Sequence, residues 1–252
     1  MARLSPAFTS SVISCNRSSP PSGPCTRLPR FRALNTGDCD FMIRLLLMAI
    51  LAMVSLSAQA RGVLVLGDSI SAAYGIEKSA GWVALLEKEL EQRCRDFPVI
   101  NASVSGETTA GGNSRLQALL DEHSPHIVII ELGGNDGLRG LSPLAMARNL
   151  SQMIEKSRAA DASPVLLGMR IPPNYGQQYT RLFEQQFRQV SDDKQVPLFP
   201  FFLEGVVAQG WMQKDGIHPT EQAQPLLKRH ASTVLEPLLP EQCGKRKGGD
   251  DV

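Results

Sequence analysis

From Gly62 onward the chain alternates short apolar runs with amphipathic stretches. The runs Val63–Leu66, Val99–Ala102, Ile127–Leu132, Val165–Met169 and Val196–Phe199 are aliphatic or aromatic at consecutive positions, the pattern of strands buried on both faces. Between them, Trp82–Gln92 sets Trp82, Leu85, Leu86 and Leu90 on one helical stripe, and Ser114–Glu122 does the same with Leu116, Leu119 and Leu120. A third helix is expected over Pro143–Arg158, where Ser142 can cap and Pro143 suits the first helical position. Further helices are expected over Gln178–Val190 and residues 225–235. Repeated β-α units predict a parallel sheet covered on both faces. The fold class read from the pattern is α/β: one three-layer α/β/α, flavodoxin-like domain with five parallel strands over residues 61–240, with no second domain. Residues 241–252, charged and Gly-rich, are expected to be a disordered tail.

The first sixty residues follow another pattern. Residues 1–41 hold five Pro, seven Ser and five Arg with no apolar periodicity, so they cannot bury enough surface to offset their ordering entropy. Met42 then opens a stretch with Arg44, an apolar run from Leu45 to Leu56, and Ala58-Gln59-Ala60. A basic residue, a short apolar run and an Ala-x-Ala site make residues 42–60 a secretory signal peptide. The run is shorter than the ~20 residues a membrane helix needs, and no Cys follows to carry a lipid, so no stable membrane anchor is expected. Residues 1–41 are then a mis-called upstream start or a disordered leader; a basic transit peptide is the rival reading. The expectation is an exported, periplasmic protein whose mature chain begins near Arg61.

Removing this leader changes the composition. The whole chain has 26 basic and 25 acidic residues, whereas 20 basic and 23 acidic remain after residue 60, for a formal charge of −3. Neither balance offers the clustered basic excess expected of a nucleic-acid binder. The leader also removes three of the five cysteines, leaving Cys94 and Cys243. Cys94 ends the first helix and Cys243 follows the last. A disulfide between them suits an oxidising compartment, and two free thiols are the other reading.

In an open, doubly wound sheet, ligands bind beyond the carboxyl ends of the strands. The first strand is followed by Gly67-Asp68-Ser69, the second by Ser103-Val104-Ser105-Gly106, and the third by Gly133-Gly134-Asn135-Asp136. Asp215-Gly216-Ile217-His218-Pro219 lies past the fifth. A serine hydroxyl is a weak nucleophile until a base takes its proton, so Ser69 needs a histidine within reach. His218 fits, and Asp215 is close enough to hold its other ring nitrogen. Pro219 disfavours helix at His218 and can begin one itself, which would set His218 at the start of a helix. Taken singly, each of these residues is as readily a turn or a helix cap. Their joint occurrence, each behind a strand, is what points to chemistry.

Gly67-Asp68-Ser69, Gly106, Gly133-x-Asn135-Asp136 and Asp215-x-x-His218 resemble the four blocks of the SGNH (GDSL-type) hydrolase superfamily. With Asn101–Gly106, Glu131–Gly140 and Pro172–Gly176, the resemblance runs from Val63 to about Leu239, and it extends closely to the bacterial periplasmic arylesterase, acyl-CoA thioesterase and lysophospholipase group. It implies a catalytic Ser69, Asp215 and His218, and an oxyanion hole of the Ser69 and Gly106 N–H groups with the Asn135 side-chain amide. It also implies an acyl-enzyme route for aryl esters, acyl-CoA or lysophospholipids, acting on small-molecule substrates as a monomer without a cofactor. A carbohydrate-ester deacetylase is the alternative within the superfamily, and a non-catalytic acyl-binding module the alternative outside it. Leu138 and Arg139, beside Asn135, and Pro173 and Tyr175, after the fourth strand, are expected to line an acyl groove. Gly133, Gly134, Gly137 and Gly140 make the first of these loops a candidate mobile lid.

Nucleotide and metal chemistry fit poorly. The first strand lacks a G-x-G-x-x-G, and Gly106 and Gly111 have phosphate-loop spacing but are followed by Gly112-Asn113 in place of Lys-Ser. His123, His126 and His230 form no ligand pair at metal spacing and are expected at the surface or at helix ends.

Overall fold

The computed structural model describes residues 62–243 apart from Arg95. Its core is a five-stranded, all-parallel sheet: β1 (Val63–Gly67), β2 (Val99–Asn101), β3 (Ile127–Glu131), β4 (Ser163–Leu167) and β5 (Leu198–Phe199), in the order β2-β1-β3-β4-β5. The side chains of β1 and β3 are buried on both faces, which is why these strands read as unbroken apolar runs. β1 sends its chain to β2 on one side while β3 lies on the other, so the strand order reverses beside β1. That reversal opens the crevice in which such folds bind ligands.

The helices are α1 (Trp82–Arg93), α2 (Thr109–His123), α3 (Gly134–Leu138), α4 (Pro143–Ala159), α5 (Gln177–Lys194) and α6 (Gln224–Leu235). α1 packs against α6 to form one outer layer, and α2, α4 and α5 pack in series to form the other. Trp82, Leu86 and Leu90 of the expected α1 stripe are buried, together with Val83, whereas Leu85 is only half-buried. α4 starts as expected, with the Ser142 hydroxyl accepting from the Ala145 N–H at 3.4 Å and Pro143 in the first position. α2 begins five residues before the expected Ser114, because the Thr108 side chain caps it through the Gly111 N–H. Gly111 and Gly112 lower helix propensity there, and the cap and tertiary packing override it. α5 likewise runs on to Lys194 through a polar last turn that apolar spacing does not register.

α1 and α6 are also tied by charge. Arg93 makes a two-pronged contact with Glu236 at 2.6 and 2.8 Å, and Glu89 pairs with both Arg93 and Lys228. At the end of α1, Cys94 is disulfide-bonded to Cys243, with 4.9 Å between their Cα atoms. The expected tail boundary at residue 241 is corrected here: Glu241–Cys243 form a 3₁₀ turn, and Cys243 is fully buried. The signal-peptide and leader assignments, and the tail beyond Cys243, lie outside the described residues. Among those residues, no helix is long and apolar enough to cross a membrane.

Candidate active site

β1 ends at Gly67, and the chain turns at once. The Asp68 carboxylate accepts from the Ile70 N–H at 3.0 Å, and the Ser69 carbonyl accepts from the Tyr74 N–H at 3.0 Å. This turn holds Ser69 at the carboxyl end of β1, beside the point where the strand order reverses. The Ser69 hydroxyl lies 2.9 Å from His218 Nε2, and His218 Nδ1 lies 2.6 Å from Asp215 Oδ2. The second Asp215 oxygen accepts from the Ile217 and His218 N–H groups at 2.9 and 3.0 Å. The three residues expected together are therefore brought together. Hydrogen bonding from the His218 ring, joined by those two backbone N–H groups, holds the Asp215 carboxyl down at about 2.

His218 does not stand at the start of a helix. Residues 211–220 form a hairpin closed by a bridge between Met212 and Pro219, and the following 3₁₀ turn, Glu221–Ala223, begins only after Thr220. The Thr220 N–H and hydroxyl both go to the Trp211 carbonyl, which favours closing the hairpin over starting a helix at Pro219. Tyr74, absent from the sequence reading, lays its ring 4.4 Å from the His218 ring.

Gly106 sits in the left-handed region, at φ +79°, where glycine is favoured. Among the described residues, no acceptor takes the Ser69 or Gly106 N–H, so both donors are free for a ligand oxygen. Asn135, on the first turn of α3, directs one amide hydrogen to Asp68 Oδ2 at 3.0 Å. Its neighbour Asp136 is buried and accepts from the Thr109 N–H and hydroxyl at 2.8 and 2.6 Å, which ties α3 to the start of α2. Of this Asn-Asp pair, one residue faces the site and the other anchors the first.

Beneath the site lie two further carboxyls. Asp68 is pushed up to about 6, chiefly by burial, against hydrogen bonds from the Ile70 N–H and Asn135. Glu131 is fully buried and raised well above the usual carboxylate range by desolvation and by the nearby Asp68 charge. It accepts from the Ser71 hydroxyl at 2.6 Å and from the Asp68 N–H at 3.4 Å.

An apolar groove of about 400 Å³ runs from this site, bounded by Ile70, Leu138, Met169, Ile171, Pro173 and Ile217. Leu138 and Pro173 are thus where they were expected. Arg139 and Tyr175 are not lining residues: Arg139 donates to the Gly106 carbonyl at 2.8 Å, and the Tyr175 hydroxyl donates to the Leu138 carbonyl at 2.8 Å. These bonds also tie the candidate lid segment to its neighbours. Residues Gly134–Leu138 are helical, the Leu141 N–H bonds the Asp136 carbonyl at 2.9 Å, and the Tyr179 hydroxyl holds the Leu141 carbonyl at 2.7 Å. Gly137 serves close packing, since a Cβ there would run into Ile171 and come within 2.8 Å of Phe183, whereas Gly133 and Gly140 take positive φ angles of +116° and +66°. His230 is corrected too: it lies within α6, stacked 4.3 Å from the Phe199 ring with Nδ1 2.9 Å from the Phe202 carbonyl.

A hydroxyl, an imidazole and a carboxylate in line, beside free backbone donors at the end of a doubly wound sheet, define a serine-hydrolase type of site. The chain belongs to the GDSL-like Lipase/Acylhydrolase family, whose model matches residues 65–225. It is 51% identical over 201 residues to "Esterase TesA" of Pseudomonas aeruginosa, covering 79% of this chain and all of the relative. It is 43% identical over 184 residues to "Thioesterase 1/protease 1/lysophospholipase L1" of Escherichia coli strain K12, covering 73% of this chain and 87% of the relative. The crystal structure of TesA superposes with a TM-score of 0.68 at 52% identity, covering 71% of this chain and all of that one.

Proposed function

We propose that this chain is a serine acyl hydrolase that cleaves carboxylic esters and thioesters through an acyl-enzyme on Ser69. The observation that carries the reading is the unbroken line from Ser69 Oγ through His218 to Asp215, at 2.9 and 2.6 Å. His218 Nε2 takes the Ser69 proton as Oγ bonds to the acyl carbon, while Nδ1–H stays bonded to Asp215, which fixes the tautomer and steadies the imidazolium. The carbonyl oxygen, now negative, is held by the Ser69 and Gly106 N–H groups and the second amide hydrogen of Asn135. As the tetrahedral centre collapses, the bond to the alcohol or thiol breaks, and His218 gives that leaving group its proton. Water then repeats the sequence: it loses a proton to His218, attacks the acyl carbon, and releases the acid and Ser69.

The apolar groove, about 400 Å³, takes the acyl chain. It is far larger than an acetyl group needs, which favours long-chain esters, thioesters and lysophospholipids over a carbohydrate-ester deacetylase. Export through residues 42–60, action in the periplasm and a monomeric state complete the proposal, and a Cys94–Cys243 disulfide suits that compartment.

Ser69→Ala is expected to abolish labelling by a fluorophosphonate and to lower ester hydrolysis by about 10⁴-fold or more. Labelling that persists in the variant overturns the nucleophile. A chain-length series on p-nitrophenyl esters and acyl-CoA thioesters is expected to rise beyond acetyl; an acetyl-only profile overturns the acyl-chain reading.

A further inference from the structure

The proposed triad unites two segments distant in sequence. Ser69 is rooted at the end of β1, an interior strand of the sheet, whereas Asp215 and His218 ride on an exposed hairpin. The reacting hydrogen bond, 2.9 Å between Ser69 and His218, must break and reform in each turnover, so something else must keep the hairpin over the serine. Gln213 meets that need. Its Nε2 donates to the Tyr74 carbonyl at 2.8 Å, on the Ser69 turn, and to the Pro219 carbonyl at 3.0 Å, directly after His218. Its own backbone N–H donates to the His218 carbonyl at 2.7 Å. A primary amide has two hydrogens, and here one goes to each segment. Tyr74 is in turn bonded through its N–H to the Ser69 carbonyl, so the link from amide to nucleophile is short and continuous.

Two features show that the surroundings accommodate this side chain. Gly75 is at φ +76°, and a Cβ there would come within 3.0 Å of Gln213 Cδ, so the turn leaves the amide its place. At the other end of the hairpin, the buried Gln224 accepts from the Trp82 N–H at 3.0 Å and donates to the Thr220 carbonyl at 3.1 Å. That bond fixes the base of the hairpin to α1, and Gln213 governs its tip.

We propose that Gln213 is a positioning residue that sets the reach of His218 Nε2 to Ser69 Oγ, by giving one amide hydrogen to the nucleophile turn and the other to the histidine hairpin. It touches neither substrate nor the reacting atoms. The inference rests on the acyl-enzyme reading above. Its residue type follows from the geometry: Glu has the shape without the donors, Met the length without polarity, and Asn the amide without the reach.

The test is a graded series, wild type, Gln213→Asn and Gln213→Met, on a p-nitrophenyl ester. A misplacement on the scale of 1 Å in a catalytic group costs up to about 10²-fold in rate. Gln213→Met is therefore expected to lose about 10- to 100-fold in kcat with KM within about twofold, and to slow fluorophosphonate labelling by a similar factor, with Gln213→Asn between it and wild type. Circular dichroism and melting temperature accompany each variant; if Gln213→Met does not fold, the loss in Gln213→Asn decides. Wild-type kcat in the folded variants, or a loss confined to KM, overturns the positioning role. Should Ser69→Ala remain active, the nucleophile itself is wrong; an inactive Ser69→Ala beside a fully active Gln213→Met removes only the role of Gln213.

Discussion

The nucleophile turn and the histidine hairpin meet through the Ser69–His218 and Gln213–Tyr74 hydrogen bonds, yet each carries an aspartate whose acidity is displaced in the opposite direction. Asp68 lies beneath the turn, stripped of water, and is pushed up to about 6 although it accepts two hydrogen bonds. Asp215 stands exposed on the hairpin and is held near 2 by three donors from His218 and Ile217. On the sheet side, burial outweighs hydrogen bonding; on the surface side, where desolvation is slight, hydrogen bonding decides. The same residue type is thus tuned for two tasks. One carboxylate stays ionised under a histidine that gains and loses charge, and the other orients an amide within the protein.

Variants on the two sides are expected to differ in kind. The largest effect should come from the exposed side: Asp215→Asn removes the acceptor that fixes the His218 tautomer and is expected to lower kcat by about 10⁴-fold. Its melting temperature should remain close to wild type, and a collapse of stability with activity would mean that the hairpin is a folding element. Next is Asn135→Ala, which deletes an oxyanion donor and is expected to cost about 10²–10³ in kcat in a folded protein, read by steady-state kinetics. A loss below tenfold would leave the two backbone donors sufficient by themselves.

The buried side should answer in stability. Glu131→Ala leaves the Ser71 hydroxyl and the Asp68 N–H without their acceptor and opens a cavity, at a cost of about 3 kcal/mol or more. Glu131→Gln keeps shape and acceptor and should melt within a few degrees of wild type. Calorimetry that finds the two variants alike would contradict the carboxyl's structural role. The smallest effect is in the pH profile. Native Asp68 keeps its proton up to about pH 6, whereas in the unfolded chain it releases it near 3.8. The folded state therefore binds more protons in between, and this group's contribution to stability declines as pH rises from about 4 to about 6. Urea unfolding across that window should give a flatter profile for Asp68→Asn; an unchanged slope would show that Asp68 ionises normally.

How much of this was legible in the sequence differs between the two sides. β1, β3 and β4 announced themselves because strands buried on both faces need unbroken apolar runs, and the Gly-rich turns behind them marked the site. The start of α2 was hidden by Gly111 and Gly112, since a cap made by Thr108 and an anchor made by Asp136 are tertiary facts that propensity does not carry. Asp215 and His218 were visible through their spacing and Pro219, but the hairpin was not, because its closure depends on Met212, Gln213 and Thr220 pairing across the turn. Tyr74 and Gln213 left no signal. A tyrosine and a glutamine in polar stretches look like solvated surface until the chain brings them together across 139 positions.

The Cys94–Cys243 bond closes a covalent ring around most of the domain. Gly106, Asn135, Asp215 and His218 lie within that ring, whereas Ser69 precedes it. A protease cut anywhere between the two cysteines would leave both fragments joined until a reductant is added. A cut between Ser69 and Cys94 would instead leave β1 and the nucleophile with no covalent tie to the rest of the domain, held by pairing with β2 and β3, by their buried side chains and by the bonds of the following turn. Of the five residues proposed for the triad and the oxyanion hole, the one that would bond to substrate is the one that no covalent loop retains.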